Sequence, residues 1–143
     1  MKAMKILYTA RAKSTGGREG KSATDDGKLS LTLSVPRGLG GDDGPGTNPE
    51  QLFACGYSAC FLGALRFVAG KSGVAVPPEA NVAAAVSIGA RDDGTGFSIE
   101  AALTITVPGV ERATVEKLVE QAHIVCPYSD ATRGNIKVTL TVA

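Results

Sequence analysis

A helical stretch opened by Asn48-Pro49-Glu50 runs to about Gly70, and from Leu52 to Leu65 it carries no charged residue. This run constrains the rest of the chain more than any other feature. An Asn side chain can cap free amides, Pro suits the first helical position, and an acid faces the positive end of the helix dipole. The small residues Ala54, Gly56, Ser58, Ala59, Gly63 and Ala64 let other backbones approach closely. Such a helix is expected to be buried on nearly every side. A membrane span needs roughly 18 or more apolar residues. Arg66 interrupts this run early, so a protein interior is the expected setting and no membrane partner is expected.

The elements available to cover that helix are few. Residues 5 to 12 and 29 to 35 alternate apolar and polar, the period of half-buried strands. Residues 14 to 21 read as a turn leading into a short strand, and residues 36 to 47, dominated by Gly and Pro, read as a loop. Residues 81 to 90 and 97 to 107 form a hairpin about Arg91-Asp-Asp-Gly-Thr-Gly96. A second helix starts near Glu111 with Val115, Leu118, Val119 and Ala122 as its apolar stripe, and Cys126 falls at or just past its end. Residues 136 to 142 alternate as a closing strand. Strands, helix, hairpin, helix and strand without a repeat or linker predict one α+β domain over residues 1 to 143. So few elements cannot cover a helix on all sides, which predicts a homodimer.

Composition narrows the function. A hydrophobic content of 43% in 143 residues supports a core without disulfide staples. With 15 Lys+Arg against 14 Asp+Glu and no basic block, a nucleic-acid partner is not expected. The first 13 residues lack the apolar stretch of a signal peptide, which places the chain in the reducing cytoplasm. Three cysteines there point to catalysis, redox sensing or burial rather than a secreted framework. Zinc is disfavoured, since no Cys-x-x-Cys pair is present and Cys55 and Cys60 lie about 140 degrees apart around a helix. The loop from Gly38 to Gly46 lacks the Gly-Lys-Ser/Thr ending of a phosphate cradle and carries Asp42 and Asp43.

Two thiols remain conspicuous: Cys60 in the uncharged helix, and Cys126 in His123-Ile-Val-Cys126-Pro-Tyr-Ser129. They suggest a redox couple that meets in space and cycles between dithiol and disulfide. A buried cysteine is ordinarily a small hydrophobe, and Cys55 is read as one. Arg18 alone reads as a solvated turn charge and Glu50 as a dipole-compensating acid. Tyr128 either shapes a site or buries a ring, and His123 reads as structural.

Longer motifs shift this balance. The runs Lys5-Ile-Leu-Tyr-Thr-Ala10, Thr15-Gly-Gly-Arg-Glu-Gly20, Gly46-Thr-Asn-Pro-Glu-Gln-Leu-Phe53 and Ala59-Cys-Phe-Leu-Gly-Ala-Leu65 are joined by Val125-Cys-Pro-Tyr-Ser-Asp-Ala-Thr-Arg-Gly-Asn-Ile136 and Val138-Thr-Leu-Thr-Val142. Together they resemble the organic hydroperoxide resistance proteins of the Ohr/OsmC family over essentially the whole chain. The resemblance implies an intertwined homodimer whose sheets wrap long central helices. It implies a thiol peroxidase acting on organic hydroperoxides without metal or organic cofactor, recharged by lipoylated proteins or dihydrolipoamide. Carried over by position, Cys60 is the peroxidatic thiol, Cys126 the resolving thiol, and Arg18 with Glu50 the polar pair that tunes the site. Cys55 departs from the family pattern.

The chemistry of the residues is consistent with that implication. A thiol in apolar surroundings has its pKa raised and is inert, so a cation must sit beside Cys60. Arg keeps its charge when partly desolvated, and its planar fork can hold thiolate, peroxide and carboxylate together. Phe53, Phe61 and Tyr128 are the candidate substrate-binding side chains. Two alternatives are the sister OsmC branch, with other substrate preferences, and a redox-sensing dimer without turnover.

Overall fold

A computed structural model describes residues 1–143, which fall into two compact units, Met1–Pro49 and Glu50–Ala143. The first unit is built on an antiparallel sheet of β1 (Ala12–Thr15), β2 (Lys21–Thr24) and β3 (Ser30–Thr32), paired in that order. Between β1 and β2 the chain makes a 3-10 turn, Gly17–Glu19, capped by Gly16, and Gly16 and Gly17 have φ of 72° and 59°. Glycine is required there because side-chain-bearing residues rarely adopt that region. A Cβ on Gly20 would overlap the Thr15 carbonyl. Leu33 and Thr47 then meet in an isolated parallel bridge that closes the 36 to 47 loop.

The expected strand over residues 5 to 12 does not form within the chain. Residues 1–10 have no regular structure, and Ile6, Leu7 and Tyr8 are 69%, 90% and 80% exposed. Alternation supplies a strand with an apolar face but not a partner, and β1 begins its ladder later, at Ala12↔Thr24. The 29 to 35 expectation is likewise shortened to β3, because Leu33 turns to Thr47.

In the second unit, α1 (Pro49–Lys71) lies against a sheet ordered β4 (Asn81–Ala90), β5 (Phe97–Thr106), β6 (Val138–Val142). The β4–β5 hairpin keeps a continuous register from Asn81↔Thr106 to Ala90↔Phe97. Its turn is closed by Arg91 N–H donating to the Gly96 carbonyl at 2.7 Å. β6 runs parallel to β5, pairing Ala101↔Val138 through Ile105↔Val142. Alternation places Ala101, Leu103 and Ile105 on the inner face, with Val82, Ala84, Val138 and Leu140 packed beside them. α2 (Arg112–Val125) buries the predicted stripe of Val115, Leu118, Val119 and Ala122. A short α3 (Pro127–Thr132), which periodicity did not predict, follows directly.

α1 buries Tyr57, Phe61, Ala64, Leu65, Val68 and Ala69. Each large side chain so buried contributes about 1.5–3 kcal/mol relative to exposure. The opposite stripe, Gln51, Cys55, Ala59, Gly63, Phe67 and Gly70, is exposed within the chain. Cys55, expected in the core, is therefore on the surface of this chain: five residues from Cys60, it turns onto the open stripe. By length and composition alone α1 could cross a membrane despite Arg66, a test that a core helix also passes. What distinguishes it is packing. One face is filled by the core, and Arg66 donates to the carbonyls of Val76 and Pro77 at 3.3 and 3.1 Å.

Candidate active site

α1 and the α2–α3 junction bring two sulfurs together. Cys60 Sγ and Cys126 Sγ are 3.6 Å apart although 66 residues separate them in sequence. Cys126 is wholly buried and Cys60 half-buried, and both are free thiols. A disulfide needs about 2.05 Å, so the pair is in contact and unbonded. The approach follows from a bend. α2 ends as the Cys126 N–H donates to the Ala122 carbonyl at 2.8 Å, and Cys126 takes extended backbone angles, φ −63° and ψ 123°. Pro127 then starts α3, where its missing N–H is no loss.

The Cys60 thiol is pushed above its ordinary pKa, first by burial, which penalises the thiolate, and also by the Cys126 thiol; the backbone N–H of Tyr128 opposes this. Beside the sulfurs, Phe53, Tyr57 and Tyr128 form an aromatic cluster with ring centroids 5.7 to 5.9 Å apart. Phe53 is half-buried and Tyr128 exposed at its edge, whereas Phe61 is wholly buried in the core. Arg18 is half-buried in the Gly17–Glu19 turn of the first unit, and Glu50 lies in the first turn of α1. Cys55 stands apart from the sulfur pair on the open face of α1.

Sequence reasoning missed a polar chain behind the thiols. The Ser129 hydroxyl, wholly buried, lies 2.8 Å from the Tyr57 hydroxyl and 2.8 Å from His123 Nδ1; Tyr57 also reaches Thr132 Oγ1 at 3.2 Å. The His123 pKa is lowered, chiefly by burial and then by the Arg133 charge. A signal was present: His123 and Ser129 stand three residues either side of Cys126, and Tyr57 three before Cys60.

The chain is similar in sequence and fold to known proteins. The family model described as OsmC-like protein matches residues 40–141. An organic hydroperoxide resistance protein of Xanthomonas axonopodis pv. citri is 53% identical over 139 residues, covering 97% of this chain and 96% of that protein. A crystal structure of an organic hydroperoxide resistance protein from Legionella pneumophila, also described as a predicted redox protein, superimposes with a TM-score of 0.91 at 46% identity, over 97% of this chain and 99% of that one. One from Vibrio cholerae, described as a putative organic hydroperoxide resistance protein with captopril bound in one of the active sites, gives a TM-score of 0.91 at 45% identity over 99% and 95%. The chain belongs to the OsmC-like family and, within it, to the organic hydroperoxide resistance proteins.

Proposed function

We propose that this protein is a cysteine-based peroxidase that reduces alkyl and lipid hydroperoxides to alcohols. The observation that carries this reading is the 3.6 Å contact between Cys60 and Cys126 at the edge of an aromatic cluster. The Cys60 thiolate attacks one peroxide oxygen, the O–O bond breaks, and the alkoxide takes a proton and leaves as alcohol. Cys60 is left as sulfenic acid. The Cys126 sulfur displaces its hydroxyl as water, and the Cys60–Cys126 disulfide forms. A dithiol of the lipoyl type then reduces that disulfide by two exchanges and closes on itself. Captopril is a small thiol, and its presence in an active site of the Vibrio cholerae relative supports access by a slender sulfur donor.

Burial and the neighbouring Cys126 thiol raise the Cys60 pKa and disfavour its thiolate, so catalysis needs a cation. Arg18 is the proposed source, with Glu50 holding its guanidinium. The same charge stabilises the departing alkoxide, an effect worth about 3 kcal/mol or more at comparable sites. Phe53 and Tyr128 receive the alkyl body, and Phe61 backs them from the core. No metal or organic cofactor enters this cycle.

The active form is proposed to be a homodimer of single-domain chains in the reducing cytoplasm. Its support is the exposed apolar arm holding Ile6, Leu7 and Tyr8, and the small-residue stripe left open on α1. A second copy covers that stripe in place of lipid. Treating the reduced protein with one equivalent of cumene hydroperoxide, then mapping peptides, tests the reading. Cumyl alcohol and a Cys60–Cys126 link are expected; untouched thiols, or a bridge from Cys55, would overturn it.

A further inference from the structure

We propose that the chain His123–Ser129–Tyr57, half-buried at His123 and wholly buried at Ser129 and Tyr57, is a positioning device for the second chemical step: it holds Cys126 against Cys60 so that the sulfenic acid is captured before further oxidation. The proposal rests on the peroxidase reading above and concerns residues that do not touch the reacting atoms.

The geometry singles out the Cys126 bend. Helical hydrogen bonding is interrupted there, since Cys126 is extended between the end of α2 and the start of α3. Left to its backbone, such a joint swings. His123 lies one turn before it and Ser129 one turn after, and their side chains meet at 2.8 Å across the bend. Ser129 also meets the Tyr57 hydroxyl at 2.8 Å, which ties the bend to α1 one turn before Cys60. Each sulfur is thereby fixed from its own side, Cys126 by His123 and Ser129, Cys60 by the helix that carries Tyr57. Arg133 adds an outer tie, donating to the His123 carbonyl at 2.7 Å.

Proton counting shows that this chain is complete. The Ser129 hydroxyl has one proton, so it donates to one side-chain partner and accepts from the other. With the imidazole neutral and its proton on Nδ1, His123 donates to Ser129, Ser129 to Tyr57, Tyr57 to Thr132 Oγ1, and Thr132 to the Ser129 carbonyl at 3.2 Å, so each contact has one proton. No buried side-chain polar atom is left without a partner. Removing one member leaves another unsatisfied in a dry setting, where the loss is costly. An apolar trio could fill the same volume but would not select one angle for the bend.

Capture requires the sulfurs to close from 3.6 Å to about 2.05 Å. In that step Cys126 forms the S–S bond, the sulfenic S–O bond breaks, and the thiol proton leaves with the hydroxyl as water. A joint held at 3.6 Å reaches this geometry far more often than one that swings. Peroxide attack on Cys60 needs none of these groups, so the two steps respond differently.

Single-turnover experiments on the reduced full-length protein with cumene hydroperoxide, quenched into dimedone, report both steps. Sulfenic acid formation in Ser129→Ala and Tyr57→Phe is expected to stay within twofold of wild type, while its conversion to disulfide slows at least tenfold. Overoxidised Cys60 then accumulates at peroxide excess. His123→Leu should behave like Ser129→Ala, and His123→Asn, whose amide can replace Nδ1, should restore capture to within threefold. Tyr57→Phe retains the ring and carries the test if Ser129→Ala does not fold. Capture at the wild-type rate in these variants, or equal slowing of both steps, overturns the proposal alone. A wild type that forms no sulfenic acid overturns the peroxidase reading and this proposal with it.

Discussion

A Cβ placed on Gly56 would come within 2.7 Å of the Tyr128 hydroxyl, so the absence of a side chain at one position of α1 makes room for the ring that borders the thiols. Gly56→Ala sets two effects against each other. Alanine gains about 0.8–1.0 kcal/mol of helix propensity, whereas overpacking costs about 1–3 kcal/mol. Tyr128 is 38% exposed and can swing outward, which relieves the overlap. Stability measured by denaturant midpoint should therefore change by about 1 kcal/mol or less, while the rate with cumene hydroperoxide falls severalfold. A normal rate would remove Tyr128 from the substrate's path.

The two cysteines should differ in what their loss leaves behind. Cys60→Ser is expected to abolish peroxide consumption. Cys126→Ser should react once and then accumulate oxidised Cys60, visible by intact-mass spectrometry. Equal loss of the first turnover in both variants would contradict the assigned roles.

Ionisation of Cys60 has a definite sign. Its pKa is raised by burial, so the thiolate fraction, and with it the alkylation rate, increases as pH rises. Arg18→Ala should move that profile to still higher pH and lower the peroxide rate by about 10²–10³, the scale of a lost electrostatic donor. Glu50→Ala should shift it the same way by less. Iodoacetamide rates across pH decide the point, and two unmoved profiles would return Arg18 and Glu50 to turn and cap roles.

Substrate and reductant preferences follow from an apolar approach to Cys60. Each buried methylene contributes roughly 0.8 kcal/mol, so two of them are worth about a tenfold rate. Long-chain or cumene hydroperoxide should outrun hydrogen peroxide by well over tenfold. Dihydrolipoamide should support turnover far better than glutathione. Steady-state assays pairing each peroxide with each reductant would falsify the reading if hydrogen peroxide or glutathione served equally well.

His123 gives stability a pH dependence of its own. Its folded-state pKa lies below the ordinary 6.5, through burial and the Arg133 charge. Above 6.5 the ring is neutral both folded and unfolded, and its contribution is complete. As pH falls below 6.5 the unfolded chain takes up the proton first, so stability is lost toward the lower folded value. Urea denaturation at pH 7.5 and 5.5 should show this loss, reduced in His123→Asn. An unchanged pH dependence in that variant would assign the loss to other groups.

Regular patterns made part of this molecule legible in its sequence. The hairpin limits at Asn81, Ala90 and Phe97 coincide with the predicted ones, because strict alternation is interrupted by a Gly-rich turn. The same alternation misleads at Ile6, Leu7 and Tyr8, since it describes a face and not a partner. α3 escaped because six residues beginning with Pro127 show no helical period. Cys60 and Cys126 were found through their chemistry and motifs, and the structure brings them into contact. The Tyr57–Ser129 bond spans 72 residues and joins types that are common anywhere. Only the bend at Cys126, which no local pattern announces, makes their meeting meaningful.

The parallel pairing of β6 with β5 sets an order of events during biosynthesis. A hairpin can close as soon as both its strands exist, but β5 cannot acquire its second neighbour until Val138–Val142 have been added. Until then a nascent chain presents a bare β5 edge, the kind of edge that recruits strands from other chains. For much of that interval Cys60 has been translated and Cys126 has not. The newborn protein thus carries Cys60 without Cys126, together with an open edge, so an oxidant met during translation would find Cys60 without the sulfur that rescues it.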